Sequence, residues 1–75
     1  MDKHRIIEIM AISDGCRIEC TEKDGECWTG YVDVFESDYD NQDDEKAGNS
    51  ICVQRDDGQN VIVYDDEIEY IAILN

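Results

Sequence analysis

After Gly15 the chain alternates apolar and polar residues with a period of two, and that alternation predicts strands. Cys16, Ile18 and Cys20 fall on one side, with Arg17, Glu19 and Thr21 on the other, as in a half-buried strand. Lys23-Asp24-Gly25-Glu26 then predicts a hairpin, because Asp-Gly supplies the positive φ of a tight primed turn. The next strand, Glu26 to Glu36, sets Trp28, Gly30, Val32 and Val34 against Cys27, Thr29, Tyr31, Asp33 and Phe35. It is long enough to bend. Gly30, lacking a packing side chain in mid-strand, marks a bulge or the close approach of another backbone. Ile51 and Val53 resume the alternation, Asp56-Asp57-Gly58 turns the chain, and Val61 to Tyr64 bring it back. From Ile68 to Leu74 both faces are partly apolar, with Ile68, Tyr70, Ala72 and Leu74 opposed to Glu69, Ile71 and Ile73. This last strand is expected to be covered on both sides or to lie at an interface.

Two segments break the pattern. Asp2 to Ser13 reads as a helix through the spacing of Ile6, Ile9 and Met10 with Asp2 as a cap, or as a strand through its isoleucines. The helix is taken here. Between Ser37 and Asn49 the apolar pattern vanishes, and Glu36 to Glu45 holds six acidic residues in ten, which predicts an exposed acidic loop. The expected fold is mainly β: a small five-stranded antiparallel barrel with a short N-terminal helix, one domain over residues 1–75 with an acidic insert at 37–49. Closure into a barrel is the usual way for so small a sheet to hide its edges.

Composition narrows the partners. Six basic and twenty acidic residues in 75 give a net charge of −14, a field that repels phosphate backbones and anionic lipid and favours basic proteins, cations or copies of the chain paired through edge strands. No apolar run nears the ~18 residues of a membrane span, and charges are scattered through Met1 to Ser13, so no membrane association is expected and a cytoplasmic location is. That compartment keeps Cys16, Cys20, Cys27 and Cys52 as free thiols. A chain this short buries only ~60% of its extended surface and has no room for a two-domain enzyme.

Ile18-Glu19-Cys20-Thr21-Glu22-Lys23-Asp24-Gly25-Glu26-Cys27-Trp28-Thr29-Gly30-Tyr31-Val32-Asp33-Val34-Phe35 resembles the first motif of the Sm-like (LSM) family, in which apolar alternation runs into a charged Asp-Gly turn with a Gly five residues later. Val61 to Tyr64, a break, and Ile68 to Ile71 are similar to the second. The resemblance implies a short helix and a strongly bent five-stranded SH3-like barrel, ring-shaped oligomers, and RNA held in a pore by two loops from each subunit. One loop of that family presents an Asp, an apolar or aromatic residue and an Asn, here matched by Asp38, Tyr39 and Asn41. The other presents Arg-Gly, and here Tyr64, Asp65, Asp66 and Glu67 stand in that place. Carboxylates where the family holds a cation reverse the sign of the local field, so RNA binding is disfavoured by charge although the resemblance allows it.

In the implied topology the two loops share one end. Asp38, Asp40, Asp43, Asp44, Glu45, Asp65, Asp66 and Glu67, with Glu36, place nine acidic residues there. Weighed against ordinary solvated charge, the sharper reading is a docking face for a basic protein, imitating nucleic acid, with Tyr39 as a contact residue. The alternative is a ring-forming RNA binder that uses Tyr39 and Asn41. No metal is expected. A helix-loop-helix calcium loop starting at Asp38 puts Asp43 at its obligatory Gly and Asn49 at its closing Glu. Cys16 and Cys20 lie about 13 Å apart along a strand, too far for one tetrahedral zinc. His4 is the only histidine and has no nucleophile beside it, so neither a cofactor nor enzymatic chemistry is expected.

Overall fold

A computed structural model describes residues 1–41 and 48–75. Helix α1 (Lys3–Ala11) is followed by β1 (Arg17–Glu22), β2 (Cys27–Glu36), β3 (Ser50–Arg55), β4 (Asn60–Tyr64), the short 3-10 helix η1 (Asp65–Glu67) and β5 (Ile68–Ile73). The strands form one antiparallel sheet in the order β4-β3-β2-β1-β5. The mainly β architecture with a short N-terminal helix is thus as expected. The sheet is barrel-like but open: β4 and β5 are its two edges, joined by η1 instead of a hairpin turn.

The first segment resolves to a helix. Asp2 accepts a hydrogen bond from the His4 backbone N–H at 3.1 Å, and Ile6, Ile9 and Met10 are buried at helical spacing. The helix packs against β5, η1 and β2. Its apolar side chains join Ile18, Cys20, Trp28, Val32, Ile51, Val53, Val63, Ile68 and Ile71 in one core. Fully burying an isoleucine or valine contributes roughly 1.5–3 kcal/mol, so these alternating positions supply most of the drive to fold.

Two strands depart from simple alternation. The β2–β3 register shifts between Val32 and Val34, so Asp33 is the bulged residue, Val34 is 39% exposed, and Phe35 packs on the core in its place. The expectation that Val34 shares the face of Val32 is therefore corrected. The β1–β5 register shifts beside Glu22. As a result Ile68 and Ile71 are buried together, while Tyr70, expected on the face of Ile68, is 45% exposed.

Gly30 is a point of close approach. A Cβ there would stand 2.5 Å from the Gln54 carbonyl oxygen and 2.8 Å from Arg55 Cα, distances no side chain tolerates. Any side chain there would force β2 and β3 apart.

Candidate functional site

The acidic loop and the β4–β5 connection meet at one end of the sheet, beside α1. Asn49, just before β3, ties them together. Its side-chain oxygen accepts the backbone N–H of Asp38 at 2.9 Å, and its amide nitrogen donates to Asp65 Oδ2 at 2.9 Å. The Asn49 backbone N–H donates to that same oxygen at 3.3 Å, and the Asp65 N–H returns a bond to the Asn49 carbonyl at 2.9 Å. Asp65 is only 6% exposed as a result. A buried carboxylate is tolerated because these donors replace its hydration.

Asn41 is the second pin. At 1% exposure, its side-chain amide faces the Glu36 carbonyl at 3.3 Å, the Gly48 carbonyl at 2.6 Å and Ser50 Oγ at 3.0 Å. It closes the loop from within. Asp40 is also engaged, accepting from the backbone N–H and the hydroxyl of Ser37, both at 3.1 Å. Within η1, the Tyr64 N–H donates to Glu67 Oε1 at 3.0 Å.

The sequence-derived candidates therefore separate. Asn41 and Asp65, expected in exposed loops, are buried and spend their polar groups on the fold. Asp38, Tyr39 and Asp66 are exposed, Tyr39 at 77%. Asp43 and Asp44 lie outside the described residues. Asp38, Asp65 and Asp66 line a shallow depression of about 310 Å³ together with Gly48, Asn49 and, from α1, Lys3 and Ile7. Asn49, Lys3 and Ile7 were not among the candidates. Asn49 carried only a weak signal, a turn-forming amide between Gly48 and Ser50 at the close of an acidic run.

Around the first half of β2 the polar groups form a different network. Arg55 lies over the Trp28 ring at 5.5 Å from its centroid and pairs with Glu26 at 2.8 Å, while Trp28 Nε1 donates to Glu22 at 2.8 Å. Arg17 donates to Asp56 at 2.6 Å, and the Thr29 hydroxyl donates to the same carboxylate. These two donors hold the Asp56 carboxyl below its ordinary range, Thr29 first and Arg17 second. All four cysteines are free, and burial pushes the Cys20 thiol up to about 12. Among the described residues no three His, Cys, Asp or Glu side chains converge on a metal-sized site, and no helix is long and apolar enough to cross a membrane.

No protein-family model matches this chain, nor does any curated protein or solved structure.

Proposed function

We propose that the chain is a non-enzymatic, Sm-like interaction module whose acidic end docks a basic protein. The observation that carries this reading is the Asn49 bridge. It joins the backbone of Asp38 to Asp65, whose neighbour Asp66 lines the same depression as Asp38, with the exposed ring of Tyr39 next to Asp38 in the chain. Carboxylates carried on backbone that protein hydrogen bonds hold in place imitate a phosphate backbone better than a solvated acidic tail does, because less of the chain must be ordered on binding. An exposed aromatic beside them adds apolar contact to the charge.

The alternative, a ring-forming RNA binder, draws less support. Of the two residues it borrows, Asn41 has its amide committed inside the loop, and only Tyr39 remains to stack on a base.

A lysine- and arginine-rich peptide, titrated by calorimetry, tests the proposal. Affinity is expected to fall at least tenfold between about 50 and 300 mM salt, where screening shortens from ~14 to ~6 Å. Asp38→Asn combined with Asp66→Asn is expected to weaken it further, and so is Tyr39→Ala. Binding insensitive to all three substitutions, or a gel shift with uridine-rich RNA at low salt in their place, rejects the reading.

A further inference from the structure

Strand β4 leaves one side of its backbone unpaired by any other strand. It is an edge of the sheet, and its sequence, Asn60-Val61-Ile62-Val63-Tyr64, contains neither proline nor any charged residue. Natural edges are ordinarily blunted by lysine, proline or a bulge. None of these interrupts β4, whose pairing with β3 runs without a register shift. The other edge, β5, differs: α1 packs against it, it carries Glu69, and its ladder is broken by a bulge.

The ladder fixes which backbone groups of β4 face outward. Arg55 N donates to the Gln59 carbonyl at 2.8 Å, and Asp65 N donates to the Asn49 carbonyl at 2.9 Å. Residues 59 and 65 therefore face β3, and by the alternation of an antiparallel pair so do Val61 and Val63. Asn60 and Ile62 turn their N–H and C=O groups to the open side. The next outward N–H, that of Tyr64, is taken by Glu67.

Beside this edge lies a groove of about 320 Å³ lined by Cys52, Val53, Asn60, Val61, Ile62 and one charged side chain, that of Asp33. Ile62, at 60% exposure, stands on its rim. It is paired across the ladder with Cys52, which is in turn paired with Val34, so an apolar row crosses three strands on the outer face. The turn before β4 carries Asp56 and Asp57, each beside an arginine of this chain and still on the surface, and η1 after it carries the exposed Asp66.

We infer that β4 accepts an extended segment of a basic partner as an added strand, its apolar side chains on the Val34–Cys52–Ile62 row and its lysines or arginines toward Asp33 and the acidic turns. Charge selects this occupant. A second copy brings another −14 whether it offers its own β4 or the β5 edge with Glu69, so neither edge supplies a cation to Asp33. Backbone pairing supplies affinity in this mode, and alternate side chains supply specificity.

The inference shares with the proposed function only the sign of the partner's charge, and its failure is separable. The probe is the peptide Lys-Lys-Val-Thr-Val-Thr-Val-Lys-Lys, followed by amide hydrogen exchange and calorimetry. The Asn60 and Ile62 amides are expected to exchange at least tenfold more slowly with the peptide bound. Ile62→Lys is expected to weaken binding about tenfold. Asn60→Pro, which removes an outward N–H without touching the ladder, is expected to do the same, and both variants should keep the wild-type circular dichroism. Protection that falls on β5 or the acidic loop, or affinity unchanged in both variants, overturns the inference. So does a wild-type chain that doubles in mass without peptide while Ile62→Lys stays monomeric, because a second copy then holds the edge. A peptide lost on Asp38→Asn with Asp66→Asn but kept on Ile62→Lys leaves the acidic-end reading standing and this one rejected.

Discussion

Asn49 donates both its backbone and its side-chain N–H to a single carboxylate oxygen of Asp65, at 3.3 and 2.9 Å. Truncating Asn49 to alanine leaves that oxygen with only the backbone donor, and it frees the Asp38 N–H. The expected loss is about 1–3 kcal/mol, the cost of a largely buried charge deprived of a partner, read as a lower urea midpoint. Asn49→Asp, which sets a second carboxylate against the first, should cost more than Asn49→Ala. An Asn49→Ala variant with an unchanged midpoint would show that the bridge does not hold the acidic end together.

Gly30 and Gly25 separate two kinds of glycine requirement. Gly30→Ala drives a methyl into the Gln54 carbonyl and should destabilise by about 1–3 kcal/mol or more, the usual cost of overpacking. Gly25, with φ +94° and nothing within 4 Å of its Cβ position, should lose only about 1 kcal/mol on the same substitution, from backbone strain. Thermal unfolding of the two variants, compared side by side, checks the order.

The four thiols should react in order of access and ionisation. Cys27 is exposed and Cys20 fully buried, and the Cys20 thiol is raised from an ordinary 9.0 to about 12, so it stays protonated at mild alkaline pH. Iodoacetamide at about pH 8 is expected to modify Cys27 and spare Cys20 until denaturant is added, as peptide mass mapping would reveal. Because folding raises this pKa, the linked stability is intact below the unfolded thiol's value and is lost as pH climbs from there toward the folded one.

Asp56 works in the opposite direction. Its hydrogen bonds from Thr29 and Arg17 hold its folded pKa below the ordinary 3.8, so the stabilisation is present above that value and is lost as pH falls through the folded one. Asp56→Asn should lower the urea midpoint at neutral pH and narrow its gap from wild type as pH drops below the ordinary 3.8. A gap that stays constant across that range would mean the carboxylate contributes nothing through its charge.

Much of this fold is written plainly in the residues. Asp2 followed by Ile6, Ile9 and Met10 marks the helix, and Asp-Gly at 24–25 and 57–58 marks both hairpin turns. The two register shifts are not legible, because a bulge at Asp33 or beside Glu69 calls for no distinctive residue; it follows from how the bent strands must meet. Binary pattern then puts Val34 and Phe35 on the wrong faces, and Tyr70 on the face of Ile68. The candidate site was legible in its location and partly misread in its roles. Asn41 and Asp65 carry the polarity of surface residues, and only three-dimensional hydrogen bonding shows them turned inward. Asn49, which organises the end, is one amide among many polar neighbours, and its importance arises from contacts sixteen positions away in sequence.

The pairing of Trp28 with Arg55 and Glu22 has an optical consequence. The chain contains one tryptophan, and it sits near the opposite end of β2 from the loop that bears Asp38 and Tyr39. Indole emission therefore reports whether β2 and its contacts with Arg55 and Glu22 are intact. A variant that no longer binds but keeps the wild-type indole emission has lost its partner and kept its fold.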